Sequence, residues 1–459
     1  MQDSESVRPG EPPWPNPAYA WYVVIVLFIG AIVSFLDRQI IAIMVSDIKL
    51  DLGLSDFEIG LLQGPPFGIF YALMSIPIAL AADQFNRRNI IAIGVTFWSL
   101  ATAACGFAGH FWHLFLARIS VGVGEATLSP SAYSIISDYF PKSKLAMAMS
   151  VFTMGNLTGV GLAMVLGSAL LAALNAIGPT DLPLLGTMRP WQLAFVAVGL
   201  PGLLLALLVL TIREPYRRGR TVSDETQGGK AQLADFIAFL RSHSATFGHL
   251  LVSFTILVLI AYANFAWVVQ FFVRSFGTTQ TEAGMWYGTI VLIFGTMGAF
   301  FGGWLSNRLM RAGYVDAPFR ASLICTLPLA VCAFFAFVVA PDSWWALVAL
   351  APCQFLGAVP AGLAGTAMMS ITPNQMRAKA ASVYLFFSNI VGISLGSTMV
   401  GFLTTHVFRD DSRLGHALAI INCGGAPIAA LIIFLGMKHY RASLLHVEEL
   451  TARQMQAAG

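Results

Sequence analysis

Residues 112–140 read WHLFLARISVGVGEATLSPSAYSIISDYF, an apolar run of bilayer length that nevertheless carries Arg118 and, seven residues later, Glu125. A charge at the bilayer centre costs about 2.5–3.5 kcal/mol on insertion scales, so two on one helix either pair with something or do work. The chain around this run has 459 residues, of which 57% are hydrophobic and 11% charged. A soluble chain carries about a quarter charged residues, so this composition is that of a polytopic membrane protein. The five cysteines form no CxxC, and the eight histidines lie mostly near segment ends, which leaves no zinc site, other metal centre or disulfide framework to expect.

Twelve apolar stretches approach the bilayer-spanning length of about 20 residues: 20–45, 56–82, 89–107, 112–140, 145–172, 190–212, 247–273, 280–306, 318–340, 343–371, 377–405 and 414–437. The polar, Pro-rich start has no signal-peptide pattern, so the first run is expected to be retained. One long polar interruption separates six helices from six. The expected organisation is a tail (1–19), a six-helix half (20–212), a linker (213–246), a second half (247–437) and a C-terminal tail (438–459). Within the linker, AQLADFIAFL (231–240) alternates at helical spacing and is a candidate for a surface-lying helix. With the N-terminus inside, nineteen of the 26 Lys and Arg fall on the cytoplasmic side and five opposite; the other two, Arg38 and Arg118, lie within the membrane. The positive-inside rule then puts both termini in the cytoplasm. The small net charge of +3 is a topology signal and does not indicate nucleic-acid binding.

Two matches relate the halves. ALAADQFNRR (79–88), with Asp83, Arg87 and Arg88, has a counterpart in GWLSNRLMR (303–311), with Asn307, Arg308 and Arg311. Pro141 and Pro373 each precede eight residues and then Ser-Val. Parallel six-helix repeats of this kind build secondary transporters whose substrate site lies between them near the midplane. The loop after the second helix resembles the signature of the major facilitator superfamily, with Ala79, Gln84 and Asn86 departing from its usual Gly, Arg and Gly. SFLDRQIIAIMVSDI (34–48), the run from Phe97 to Pro141 with Arg118-x-x-Val-Gly-x-Gly-Glu-Ala, and Arg213-Glu214-Pro215 resemble the spinster family more specifically. The resemblance implies an all-α membrane protein, with twelve transmembrane helices in two pseudo-symmetric halves. It also implies transport of lysophospholipids or sphingoid lipids, and a role for Asp37, Arg38, Arg118 and Glu125.

The residues support such a role independently. Arg118 and Glu125 share a helix face about 10 Å apart, with Gly122 and Gly124 offering almost no bulk beside them. Helix lengths place Asp37 and Arg118 at similar depth and Glu125 about two turns deeper. A static Asp37–Arg118 pair would merely hold two helices together, but it would not need a third and fourth charge. The cores of the last six helices contain no Asp, Glu, Lys or Arg, so the fold itself does not require these groups. A buried carboxylate that exchanges arginine contact for isolation binds and releases a proton. Glu125 is the first candidate for that switch and Asp37 the second, with Arg38 and Arg118 competing as partners for the acids and for an anionic substrate head.

Tyr262, Asn264 and Trp267, with Tyr384, Phe387 and Asn389, are candidate cavity residues in the second half. Asp83, Arg87, Arg88, Asp138, Asn307, Arg308 and Arg311 are candidates for a cytoplasmic gate. GISLG (392–396) matches a nucleophile-elbow pattern but sits in a helix, where close packing is the better reading, and GGK (228–230) lacks the phosphate-loop pattern. The expectation is a proton-coupled transporter of an amphiphile in a bacterial cytoplasmic membrane. It functions as a monomer, with protons, membrane lipids and a lipid-like substrate as partners, and it needs no cofactor. The alternatives are a transporter of small organic anions or drugs on the same fold and, from a different class, an intramembrane enzyme.

Overall fold

The computed structural model describes residues 12–183, 186–217, 229–373 and 376–458. Parts of the Pro373 repeat and of GGK fall outside them. Among the described residues, eleven helices are long and apolar enough to span a bilayer. Labelled in chain order with the interrupted fourth span, they are α1 Pro17–Ile43, α2 Asp56–Gln84, α3 Arg87–Cys105, α4 in two pieces (Phe111–Glu125 and Leu128–Tyr139), α5 Ser143–Ile177 and α6 Pro190–Leu210. They continue as α7 Ser244–Phe276, α8 Gln280–Arg311, α9 Ala317–Val339, α10 Ser343–Ser370, α11 Lys379–Phe408 and α12 Asp411–His446. A hairpin pairs Thr180–Leu182 with Gly186–Met188 between α5 and α6. The amphipathic linker segment is a helix, Gly229–Ser242.

The break in α4 has a plain cause. Pro130 has no N–H to offer the carbonyl of Ala126, the helix opens at Ala126–Thr127, and the Thr127 hydroxyl donates to the Gly124 carbonyl at 2.8 Å. Glu125 is the last residue before this opening. α2 is interrupted in the same way at Gly64, whose φ of −109° and ψ of −84° are not helical, ahead of Pro65 and Pro66. The starts of α2 and α8 share a capping box, Ser55 with Glu58 and Thr279 with Glu282. These positions have the same spacing as Asp83 and Asn307, so a third match joins the two repeats.

The chain forms two compact units. The first comprises residues up to Leu54, Pro65 into the linker, and Thr279–Leu292. The second comprises Ser55–Gly64, the linker's end to Thr278, and Ile293 onward. The first pieces of α2 and α8 are thus each counted with the other half of the chain. Both exchanges occur at irregular backbone: the Gly64–Pro65 break in α2, and the π-helical turn Val291–Gly295 in α8.

In a bilayer the hydrophobic effect adds little to helix association, and close approach of small residues takes its place. In the first unit, α1 packs along α5, and α3 packs against α4 and α6. A Cβ on Gly124 of α4 would come within 2.7 Å of Trp98 Cβ on α3, so only glycine permits this contact. In the second unit, α7 packs on α11 and α12, and α10 on α8 and α9. There Gly60 lies where a Cβ would meet the Ser397 carbonyl at 2.7 Å, and Gly401 lies similarly against Asp56. Gly396 of GISLG approaches the Leu259 carbonyl of α7 in the same way, which accounts for that motif as helix packing. All five π-helical stretches among the described residues lie in α8, α9, α11 and α12. Asp37, Arg38, Arg118 and Glu125 lie in α1 and α4.

Candidate substrate and coupling site

The four intramembrane charges converge in the first unit. Glu125 is 1% exposed, and its Oε2 accepts from Arg38 Nη2 at 2.7 Å and from the Ser34 hydroxyl at 2.6 Å. Ser34 and Arg38 stand one turn apart on α1, so a single helix face presents both donors. The Arg38 guanidinium lies over three rings, with Cζ 4.7 Å from the Phe35 centroid, 4.1 Å from Phe67 and 5.7 Å from Tyr71. Cation–π contacts of this kind hold a guanidinium without taking up its N–H groups.

Arg118 is fully buried and donates to the backbone carbonyls of Asp37 at 3.1 Å and Arg38 at 3.4 Å. Asp37 is also fully buried. Neither of its carboxylate oxygens has a hydrogen-bond partner among the described residues, although Arg118, Trp98 and Thr102 face it. The close ion pair of the cluster is therefore Arg38–Glu125. Asp37 and Arg118 lie near each other, as depth along the helices predicts, but they meet through backbone. Gly122 lets α2 come up beside this cluster, since a Cβ there would lie 2.9 Å from the Phe67 carbonyl.

A second charge group closes the arginine-rich end of the same unit. Arg87, 1% exposed, donates to Asp138 at 2.5 Å, to Glu214 at 2.7 Å, to Ser134 at 2.7 Å and to the Pro215 carbonyl at 3.3 Å. The Arg88 backbone N–H donates to Glu214 at 3.1 Å, and its side chain donates to Asn89 and to the Ile212 carbonyl. Arg217 caps the end of α2, donating to the carbonyls of Ala82 (2.8 Å), Phe85 (2.6 Å) and Asp83. Of the expected gate residues, Arg87, Arg88 and Asp138 meet in one network, and Asp83 is joined to the linker through its backbone. Glu214, noticed in the sequence only as part of Arg-Glu-Pro, is the acid that ties α3 to the linker.

Arg87→Ala is expected to lower stability by about 3–5 kcal/mol, because it leaves Asp138 and Glu214 with their central partner gone. Arg87→Lys should recover only part of this, since an ammonium cannot reproduce the forked contacts. Thermal unfolding of the detergent-solubilised protein measures both; an unchanged midpoint for Arg87→Ala would mean the network carries no stability.

In the second unit, Asn264 and Asn422 exchange two amide hydrogen bonds at 3.0 and 2.9 Å, joining α7 to the π-helical turn of α12. Trp267 is fully buried and donates to the Ser397 carbonyl at 2.8 Å. Tyr262 packs on Phe265, and Asn389 donates to Leu385 within α11. Tyr384 is partly buried and Phe387 is 45% exposed. Asn307, Arg308 and Arg311 are exposed along α8, with Arg308 over Trp304. Asp56, fully buried at the start of α2, forms a forked pair with Arg274 of α7 at 2.6 and 2.8 Å. Neither residue stands out in the sequence, where Arg274 reads only as one of the few cations on the outer side. Among the described residues, no group of three or more His, Cys, Asp or Glu is arranged to hold a metal.

The site thus sets the Arg38–Glu125 ion pair beside the break in α4, among helices long and apolar enough to span a membrane. Residues 27–397 match the family model of the Major Facilitator Superfamily, and the chain belongs to that superfamily. Within it the likeness runs to spinster proteins. A bacterial homolog of the human lysosomal transporter Spinster, solved in an inward-facing and unoccupied conformation, superposes with a TM-score of 0.74 at 26% identity, over 94% of this chain and 98% of that one. The mouse sphingosine-1-phosphate transporter is 25% identical, over 92% of this chain and 76% of its own length. A probable L-galactonate transporter of Escherichia coli is 24% identical, over 90% and 88%. The family and fold are those of transporters, which sets the enzyme alternative aside.

Proposed function

We propose that this chain is a proton-coupled secondary transporter of an anionic amphiphile of the lysophospholipid or sphingoid-phosphate class. It would work by alternating access in a bacterial cytoplasmic membrane, with both termini cytoplasmic and the monomer as the functional unit. The observation that carries the reading is Glu125 shared between Arg38 and Ser34, deep in the first unit. A proton arriving at Glu125 cancels its charge and breaks the ion pair, and the Arg38 guanidinium then takes an anionic head group. Departure of the proton restores the ion pair and displaces the anion. Ser34 keeps a hydrogen bond to Glu125 in either state, because a hydroxyl both donates and accepts. The Glu125 carboxylate and the anion thus contend for one arginine, and protonation of Glu125 decides between them, which is the requirement for coupling. Arg87, Arg88, Asp138 and Glu214 serve as the cytoplasmic gate in this reading, with Asp83, Asn307, Arg308 and Arg311 at corresponding ends of α2 and α8.

The lipid class follows from asymmetry. The two arginines of the cluster, Arg38 and Arg118, are in α1 and α4, whereas Tyr262, Asn264, Trp267, Tyr384, Phe387 and Asn389 supply rings and a few amides. A small polar anion needs partners all round, since each unpaired buried group costs about 1–3 kcal/mol. An amphiphile needs them only at its head. The likeness to the L-galactonate transporter favours a second reading, a small organic anion.

Thermal stabilisation of the purified protein separates the two. Lysophosphatidylglycerol and sphingosine phosphate should raise the unfolding midpoint with tolerance for chain length, and a ligand at 100 times its Kd adds about 2.7 kcal/mol. Stabilisation by L-galactonate or another short anion, with no response to either lipid, would reverse the assignment.

A further inference from the structure

We infer that Phe67 is a positioning residue that ties the bend of α2 to the aim of Arg38 and Arg118, and through them to the head group the site accepts. The inference rests on the transport reading above and adds a residue to it. Phe67 is fully buried, and its single ring lies 4.1 Å from Arg38 Cζ and 5.8 Å from Arg118 Cζ. It stacks on Tyr71 with centroids 5.5 Å apart, and its backbone is pressed against Gly122 of α4. The ring is thus fixed from two sides and touches both cations that the substrate would meet.

Its place along α2 gives this contact a second meaning. Phe67 stands three residues beyond Gly64, where the helix is broken ahead of two prolines. The piece before the break, Ser55–Gly64, is counted with the second compact unit, and the piece carrying Phe67 with the first. The segment that holds the ring therefore begins at this break. When Glu125 is neutral, Arg38 loses its charged partner but keeps the faces of Phe35, Phe67 and Tyr71. Ring faces hold a guanidinium without using its N–H groups as hydrogen-bond donors, so an anionic oxygen can accept from them.

The test compares Phe67→Leu and Phe67→Tyr in proteoliposomes, with an anionic lysolipid (lysophosphatidylglycerol) and a neutral one (monoacylglycerol) of the same chain length. Phe67→Leu keeps an apolar side chain but removes the π face. It should raise the half-saturating concentration for the anionic lipid at least fivefold, leave that for the neutral lipid unchanged, and alter the maximal rate less. Phe67→Tyr should stay within twofold of the parent. If Phe67→Leu does not fold, Phe67→Met allows the same comparison. Equal weakening for both lipids, with a lower unfolding midpoint, would reduce Phe67 to packing and overturn the inference. A parent that prefers the anionic lipid and a Phe67→Leu variant that matches it would overturn the inference alone. A parent that does not distinguish the two lipids would overturn the substrate reading and this inference with it.

Discussion

Replacing Glu125 by Gln is expected to leave a folded carrier whose transport no longer responds to an imposed pH gradient. The amide keeps the shape of the acid, and its oxygen can still accept from the Ser34 hydroxyl and from Arg38, which lie 2.6 and 2.7 Å away in the parent. It cannot titrate. Arg38 then faces a permanently neutral partner, as it would when Glu125 is protonated, so the binding step persists while the driving step is lost. Gradient-driven accumulation in proteoliposomes should fall to the level seen without a gradient, a loss of at least about tenfold if coupling supplies 1.4 kcal/mol or more. The unfolding midpoint should change little. A variant that accumulates substrate in proportion to the gradient, as the parent does, would remove Glu125 from the coupling role and leave Asp37 as the remaining acid.

Arg118→Ala should be the more damaging change. Its guanidinium is fully buried and satisfies the carbonyls of Asp37 and Arg38. Removing it takes a second donor from those carbonyls, which keep their partners within the helix, so that part of the loss is small. The cluster would also hold two acids against one arginine, and breaking a buried charge arrangement on one side costs about 3–5 kcal/mol. A sharp drop in unfolding midpoint and no transport at any pH are expected. Adding Asp37→Asn to Arg118→Ala should restore part of the stability, because the surplus negative charge is gone, without restoring transport. Scanning fluorimetry and uptake on the single and double variants distinguish these effects. Parent-like uptake by Arg118→Ala would show that its role is confined to backbone support elsewhere in the cycle.

Hydropathy located all twelve spans, because burial in lipid imposes one requirement on each of them. The break in α4 was less visible, even though Pro130 was in plain view: an apolar run of the right length hides a local backbone fault. The exchange of helix pieces between the two units was not legible. Gly64-Pro65-Pro66 marks one break, but the π-helical turn at Val291–Gly295 has no comparable residue signature.

The four charges could be found from cost alone, since nothing in a hydrocarbon interior tolerates them for free. Their pairing could not. Counting residues gives the depth of each Cα, whereas an arginine carries its charge several ångströms away, and Arg38 thereby reaches Glu125 on another helix. Ser34 was missed because a lone serine in an apolar helix usually bonds to its own preceding turn. Phe67 was one of 34 phenylalanines, with nothing in the sequence to single it out. Glu214 and the Asp56–Arg274 pair depend on contacts across long stretches of chain, which a single sequence does not encode at any fixed spacing.

Proton movement that accompanies the substrate is the measurement closest to the proposed contention for Arg38. Proteoliposomes holding a pH-sensitive dye, with no imposed pH gradient, would be given lysophosphatidylglycerol on one side. The parent should shift the internal pH as the lipid moves, and Glu125→Gln should move lipid down its gradient with no pH shift. Lipid movement by the parent without any proton flux, or an undiminished flux in Glu125→Gln, would contradict the account.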